Sequence, residues 1–204
     1  MKTFYIETFG CQMNKGDSDL MILSMKSSGF IQVETTGEAD ICIFNTCSVR
    51  QHAEDRAIAR IRQEKGTGAR GKTIVVTGCM AQRLGNSLIQ KNIADIVVGP
   101  YQSPLIGELL SSADILKKNT IPVFVSQQLK DFSERISSAL ARDKELHPWH
   151  KWVTITHGCE NFCTYCIVPY VRGKLISFPS AKILDFIHEA VDSGVTEISL
   201  LGQN

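Results

Sequence analysis

The feature that most constrains the fold is an alternation, over the first 125 residues, of short apolar runs with longer stretches of helical pattern. The runs are near-continuous in apolar residues, which is typical of strands buried on both faces of a parallel sheet. They cover residues 3–9, 41–47, 73–79, 94–100 and 121–125, and helical stretches cover residues 17–28, 48–65, 81–91 and 102–118. The pattern predicts an α/β domain whose parallel sheet is covered by helices on both faces.

Polar residues and glycines mark the expected ends of these helices. Asp17 and Ser18 are candidates to cap the first helix, and Ser48 is a candidate for the second. Gly29 and Gly66 stand where helices of this length would end.

A second unit follows a polar, charged stretch over residues 126–150. It has a predicted strand at 153–157, a helix at 180–193 and a strand at 196–201. We therefore divide the chain into a domain over 1–119, a linker over 120–144 and the start of a second sheet or barrel over 145–204. Because one strand–helix–strand unit leaves its last strand without a neighbour, we expect the sequence to be part of a longer protein.

Charge and targeting signals limit the cellular compartment and the classes of binding partner that the sequence predicts. The chain has 22 basic and 21 acidic residues, which does not indicate a bulk-basic nucleic-acid binder. Residues 50–72 hold seven basic and three acidic residues, a pattern typical of a solvated helix face or of contacts to RNA phosphates. The sequence has neither a membrane-length apolar run nor a signal peptide, so we expect a cytoplasmic protein whose seven cysteines are reduced.

Three of these cysteines form a compact motif directly after the predicted strand 153–157. Cys159, Cys163 and Cys166 have the spacing C-x3-C-x2-C, and three thiolates this close can bind three irons of one cubane cluster. The fourth iron would then be open to a substrate or cofactor. The spacing differs from that of a ferredoxin. A zinc site with His157 as fourth ligand, or cysteines without a ligand, are the alternatives.

Three more cysteines share one position relative to the predicted strands. Cys11, Cys47 and Cys79 each lie at or just past a strand's carboxyl end, where open α/β sheets bind their ligands. The pattern therefore predicts a second cluster at one sheet edge, with burial as small apolar side chains as the alternative. Cys42 lies inside an apolar run, and we expect it to pack in the core.

Four segments resemble the bacterial radical S-adenosylmethionine methylthiotransferases. They are TFGCQMN (8–14), NTCSVR (45–50), TGCMAQ (77–82) and GCENFCTYCIVPYVRG (158–173). The most similar branch converts dimethylallyl-adenosine in tRNA to its 2-methylthio derivative, a choice that depends on residues 12–14 and 48–50. The alternatives are a sister enzyme acting on threonylcarbamoyl-adenosine or on a ribosomal protein, a non-catalytic iron–sulfur electron-transfer module, and a zinc-structured RNA-binding protein.

The resemblance implies a fold and cofactors. The N-terminal parallel-sheet domain would be followed, over 145–204, by the truncated start of a radical S-adenosylmethionine partial (β/α) barrel. Two [4Fe–4S] clusters are implied, one on each set of three cysteines. The Cys159, Cys163 and Cys166 cluster would bind S-adenosylmethionine near Tyr165, and the Cys11, Cys47 and Cys79 cluster would be auxiliary.

The resemblance also implies partners and one departure from the family. The substrate would be tRNA, and the reaction would need a flavodoxin- or ferredoxin-like electron donor and a sulfur donor. No membrane partner is implied. Phe178 stands where the family usually has an arginine, which implies a weaker contact to cofactor or RNA.

Overall fold

A computed structural model describes residues 1–49, 51–66, 71–112, 123–125 and 149–203. Its first unit is built on a six-stranded sheet in the order β2-β1-β3-β4-β5-β6, with every neighbouring pair parallel. The strands are β1 (Thr3–Thr8), β2 (Ile31–Gln32), β3 (Ile41–Thr46), β4 (Thr73–Gly78), β5 (Ile96–Val98) and β6 (Val123–Phe124). The predicted parallel α/β sheet is therefore confirmed.

Helices cover both faces of this sheet, as the apolar pattern predicts. They are α1 (Gln12–Ser27), α2 (Gln51–Gly66), α3 (Cys79–Leu84), α4 (Asn86–Gln90) and α5 (Ile106–Ser111), with 3₁₀ turns at Thr36–Glu38 and Pro100–Leu105. Phe44 packs with Ile61 and Met80 on one face, and Ile43 packs with Met21 on the other. Cys42 is fully buried in the first of these clusters, so the expectation of core packing is confirmed.

The second unit contains two short sheets and two helices. Its elements are β7 (His150–Thr154), β8 (Thr156–His157), α6 (Val168–Arg172), β9 (Ile176–Ser177), α7 (Ser180–Asp192) and β10 (Glu197–Leu201). Strands β7 and β10 pair in parallel, and β8 pairs with β9 antiparallel. The predicted helix over 180–193 and strand over 196–201 are confirmed, whereas the predicted strand over 153–157 is divided between β7 and β8.

The prediction for the start of the first helix was wrong. Helix α1 begins at Gln12 with Cys11 as its N-cap residue, so Asp17 and Ser18 lie inside the helix. Both side chains are buried, and the Ser18 hydroxyl lies 2.7 Å from that of Thr8. Their polar groups serve contacts between elements and do not cap the helix.

Two other helix predictions need correction. Ser48 precedes α2 and donates a hydrogen bond to Glu54 at 2.8 Å instead of capping the helix. The predicted helix over 81–91 begins at Cys79 and is interrupted at Gly85, which has a positive φ of 46° and separates α3 from α4. The predicted helix over 102–118 is a 3₁₀ turn followed by α5, and residues 113–118 lie outside the described residues.

The linker predicted over 120–144 lies mostly outside the described residues, as does most of the polar stretch over 126–150. Val123–Phe124 pair with β5, so the last described strand of the sheet falls inside the range assigned to the linker. Within the parts of the chain that the structure describes, no helix has the length and apolar character needed to cross a membrane.

Helix α1 lies between the two units. A Cβ atom on Gly16 would be 3.1 Å from Leu201 of β10 and 3.5 Å from Trp152 of β7, so the second unit packs directly on the helix backbone. Leu20 of α1 forms an apolar cluster with Tyr101 and Phe178. This junction places the loop after β8 close to the carboxyl edge of the first sheet.

The packing of α5 on α1 predicts an intolerance of side-chain volume at Gly107. A Cβ atom there would collide with the backbone oxygen of Ser24, and the Gly107 amide already donates to the Ser24 hydroxyl at 3.0 Å. We expect Gly107→Ala to lower the free energy of unfolding by about 1–3 kcal/mol, as overpacking does. Urea unfolding of the 204-residue chain measures this.

Gly66→Ala is the matched control, since no heavy atom lies within 4 Å of a Cβ placed at Gly66. We expect it to change the free energy of unfolding by less than about 0.5 kcal/mol. Equal stabilities of the two variants would contradict the close packing of α1 and α5.

Candidate functional site

The carboxyl edge of the first sheet brings together the three predicted cysteine segments. Strands β1, β3 and β4 are adjacent and parallel, so all three end at one edge. Cys11 is the N-cap residue of α1, Cys47 follows the last residue of β3, and Cys79 is the first residue of α3. The structure places all three where the sequence predicts them.

Two glycines allow these segments to approach one another. Gly10 has a φ of 126°, and a Cβ atom there would lie 2.5 Å from the Cβ of Cys47. Gly78 has a φ of 88°, and a Cβ there would collide with the backbone oxygen of Thr46. Both positions combine a left-handed backbone with close contact, so any larger residue would separate the cysteine-bearing loops.

Two buried asparagines fix the loops beside Cys11 and Cys47. The Asn14 side chain donates to the Asn45 side-chain oxygen and to the Thr46 carbonyl, both at 3.1 Å. Asn45 in turn donates to the Asn14 carbonyl at 2.7 Å, and Cys11 donates to the Asn14 side chain at 3.2 Å. The sequence analysis missed both asparagines, although each lies in a cysteine segment, where their presence was the available signal.

The interaction between the Cys11 and Cys47 thiols shifts their pKa values in opposite directions. The bond with Cys47 lowers the pKa of Cys11, and the same bond together with burial raises the pKa of Cys47. Cys79 lies near enough for its charge to raise the pKa of Cys47 further. Of the two thiols, Cys11 therefore loses its proton more readily, and a hydrogen bond from Cys47 stabilises the thiolate that results.

Arg172 donates to the third cysteine from the other unit. Its side chain is 1% exposed, and its Nε lies 3.3 Å from the Cys79 sulfur. Its Nη2 forms an ion pair with Asp17, and its Nη1 lies 3.2 Å from Nε2 of His157. Burial would lower the pKa of Arg172, but Asp17 and Cys79 outweigh burial and raise it, so the guanidinium remains charged.

The contact with Arg172 bears on the proposed role of His157 as a zinc ligand. The His157 Nε2 atom faces Arg172, and burial, together with the charge of Arg172, lowers the pKa of the imidazole well below its usual value. A neutral His157 therefore accepts from Arg172 through the nitrogen that a metal would use. The sequence pattern predicted a capping role for Asp17 and no role for Arg172, and the available signal for Arg172 was its place within the segment 158–173.

The second set of cysteines lies on the loop between β8 and α6. Cys159 is buried, Cys163 is exposed, and Cys166 is half-buried. The Cys166 amide donates to the Cys163 carbonyl at 2.9 Å, which turns the loop, and the Cys159 amide donates to the Gly173 carbonyl at 3.0 Å. Tyr165 is 89% exposed.

A cavity of about 270 Å³ lies between the two units beside this loop. Gln82, which lies three residues after Cys79, and Tyr101 line it from the first unit. The second unit contributes Cys159, Phe162, Tyr170 and Lys174, among others. The Phe162 and Tyr170 rings meet edge to face, with centroids 6.0 Å apart. The cavity therefore combines aromatic surface, one lysine and one cysteine of the second set.

Phe178 is buried at the junction between the units. It is 7% exposed and packs in the cluster with Leu20 and Tyr101. Its apolar ring suits this buried position.

Several cations of the basic stretch 50–72 are paired with carboxylates. Arg60 forms ion pairs with Glu7 at 3.2 Å and with Glu64 at 3.0 Å. Lys65 lies 3.2 Å from Asp95, and Lys72 lies 3.4 Å from Glu64. Arg50 and Arg70 lie outside the described residues. For Arg60, Lys65 and Lys72 these pairs favour the interpretation as a solvated helix face.

The cysteine sulfurs at both sites are ligands of the type that iron–sulfur clusters take. In the described ranges, no three His, Cys, Asp or Glu side chains lie close enough together to hold one metal ion. A cubane cluster takes one thiolate per iron, so its ligands need not meet at one point. Such a cluster fits the first site, because glycines allow the Cys11 and Cys47 loops to lie close together and because all the predicted ligands are thiols.

Comparison with known proteins places the whole chain among homologues. The family model "Uncharacterized protein family UPF0004" matches residues 3–99. Proteins named tRNA-2-methylthio-N(6)-dimethylallyladenosine synthase are 38% identical in Geobacter sulfurreducens and 40% identical in Clostridium tetani. These alignments cover 100% and 99% of this chain but only 45% and 44% of the relatives, so the chain spans about half their length.

One solved structure shares the fold. A radical S-adenosylmethionine methyltransferase from Kitasatospora setae superposes with a TM-score of 0.56 at 10% sequence identity. The superposition covers 100% of this chain and 48% of that one. Both units of the chain therefore have a counterpart in one known architecture.

The burial of the cysteines predicts different reactivities in the metal-free chain. Burial raises the pKa of Cys42 to about 11, so roughly one Cys42 thiol in a thousand is ionised at pH 8. Cys163 is exposed. We expect iodoacetamide at pH 8 to modify Cys163 at least about a hundredfold faster than Cys42, since only the thiolate reacts. Peptide mass spectrometry over a time course measures both rates.

The same labelling in concentrated urea is the control, where both cysteines should react at similar rates. Equal rates in the folded chain would contradict the burial of Cys42 in the sheet.

Proposed function

We propose that this chain corresponds to the N-terminal part of a radical S-adenosylmethionine tRNA methylthiotransferase. Such an enzyme would insert sulfur at carbon 2 of dimethylallyl-adenosine next to the anticodon and methylate it. The observation that carries the proposal is the convergence of Cys11, Cys47 and Cys79 at one sheet edge. The cavity beside that edge is lined by Cys159 of the second cysteine set. The names of the relatives favour this branch over its sister enzymes.

The two cysteine sets would hold two [4Fe–4S] clusters. Cys159, Cys163 and Cys166 would bind the one whose open iron takes S-adenosylmethionine, and the exposed Tyr165 would lie against that cofactor. Cys11, Cys47 and Cys79 would bind the auxiliary cluster, with an iron open to the sulfur that is transferred. Bound there, the clusters and S-adenosylmethionine supply the radical and sulfur chemistry, while the protein binds and orients them and excludes water.

Residues of the chain would orient this chemistry. The Asn14 and Asn45 side chains hold the Cys11 and Cys47 loops in place through buried hydrogen bonds. The edge-to-face rings of Phe162 and Tyr170 would stack on an adenine turned out of the anticodon loop. Lys174 at the cavity wall would attract a phosphate.

The reaction implies further partners. A flavodoxin- or ferredoxin-like protein would deliver electrons, and a sulfur donor would replace the sulfur consumed at the auxiliary site. A tRNA substrate and a reducing environment for free thiols both point to the cytoplasm.

Iron analysis tests whether both sites bind clusters. We expect the anaerobically reconstituted chain to hold about eight irons and eight sulfides. Two triple variants, one at Cys11, Cys47 and Cys79 and the other at Cys159, Cys163 and Cys166, each with alanine at all three positions, should each retain about four of each. Colorimetric iron and acid-labile sulfide assays give both values.

Cys42→Ala is the matched control, because Cys42 packs in the core and should leave the iron content unchanged. A parent chain that holds only about four irons, and keeps all of them when Cys11, Cys47 and Cys79 are replaced, would contradict an auxiliary cluster in this chain. Bound zinc without iron would favour the zinc-structured RNA-binding protein instead.

Nucleoside analysis tests the substrate. A strain from which the gene for this protein is deleted should accumulate dimethylallyl-adenosine in its tRNA and lose the 2-methylthio derivative, because the proposed reaction consumes the first and forms the second. Liquid chromatography with mass spectrometry of digested tRNA measures both nucleosides. Loss of methylthio-threonylcarbamoyl-adenosine with the dimethylallyl derivative intact would assign the chain to a sister branch.

A further inference from the structure

Arg172 places a positive charge in the interior of the protein. Among the described residues it has the largest fully buried side chain, at the last position of α6. Taking a guanidinium out of water is costly unless its donors are satisfied and its charge is paired. The residues that pair its charge and accept its hydrogen bonds therefore indicate the role of Arg172.

These partners come from three segments that are distant in the sequence. Asp17 of α1 forms the ion pair, Cys79 of α3 accepts from Nε at 3.3 Å, and His157 of β8 accepts from Nη1 at 3.2 Å. The Tyr101 hydroxyl donates to the Arg172 carbonyl and so fixes the backbone as well. Asp17 pairs the charge of Arg172, while the Nε donor of the same guanidinium is directed at a cysteine sulfur.

An N–H donor on a cysteine sulfur changes the electronic properties of a cluster that the cysteine holds. Reduction adds negative charge, so a nearby cation and a hydrogen bond to the ligand sulfur favour the reduced form. The cation comes from the helix that follows the second cysteine loop, whereas Cys79 belongs to the first unit. The charge at the first site is therefore set by a residue of the second unit.

We propose that Arg172 is a positioning residue that donates to Cys79 and raises the reduction potential of the cluster held by Cys11, Cys47 and Cys79. The inference rests on the proposed function, because it requires that cluster. Asp17 opposes the effect, since its carboxylate neutralises part of the Arg172 charge through Nη2.

The opposed charges of Arg172 and Asp17 allow a test in two directions. All variants are made in the 204-residue chain with Cys159, Cys163 and Cys166 changed to alanine, so that one cluster gives the signal. A redox titration followed by electron paramagnetic resonance measures the midpoint potential. We expect Arg172→Met to disfavour reduction at least tenfold, a shift of about −59 mV for one electron. Asp17→Asn should shift the potential upward.

Two further variants separate charge from packing. Arg172→Lys keeps the positive charge, so its potential should lie nearer to that of the parent chain than the Arg172→Met potential does. Phe178→Leu disturbs the same junction without changing a charge, and we expect it to lower the melting temperature and leave the potential unchanged.

The outcomes distinguish this inference from the proposed function. If the parent chain with Arg172 intact binds no iron, the proposed function fails. The role of Arg172 is overturned if iron binds but the midpoint potentials of the Arg172→Met and Asp17→Asn variants equal that of the parent chain. It is also overturned if both potentials shift in the same direction. If Arg172→Met does not assemble a cluster, the upward shift expected in Asp17→Asn decides, and an unmoved potential there overturns the inference.

Discussion

The parallel direction of β1, β3 and β4 is the constraint on which the rest of the structure depends. Because these strands are adjacent and parallel, the segments that follow them must begin at one edge. Cys11, Cys47 and Cys79 are therefore brought together by topology, although more than thirty residues separate each from the next. The glycines at positions 10 and 78 supply the remaining requirement, since only they allow the loops to approach this closely.

Helix α1 packs against both the first sheet and the second unit, and so fixes the position of the second unit beside the cysteine-bearing edge. Its Met21 and Met25 pack beneath the sheet, while Leu20 and Asp17 face the second unit. The helix is thus covered on two sides, and Asn14, Asp17 and Ser18 in its first turns are buried in contacts between elements. An ion pair at this depth contributes little net stability, but loss of one partner would leave an uncompensated charge, which ties the fit of the units to Asp17 and Arg172.

The sequence predicted the features that depend on local pattern and missed those that depend on distant partners. The long strands were located to within a few residues because their apolar runs are nearly continuous, and the positions of the cysteines at strand ends followed from them. The two-residue strand β2 leaves no such run. Asp17 was predicted to be a cap because aspartate commonly serves as one, but its partner Arg172 lies 155 residues away. No local pattern reveals such a pair.

The two cysteine sets differ in the structure that surrounds them, which is a sheet edge for the first set and a partly exposed loop for the second. The first set lies between a sheet edge and a network of buried asparagines, so its geometry is fixed by the fold. The second set lies on a loop whose Cys163 and Tyr165 face solvent, so its geometry depends more on what binds there. Arg172 lies six positions after Cys166, and it contacts Cys79. The hydrogen bond that Cys79 accepts at the first site therefore depends on the position of α6, the helix that follows the second set.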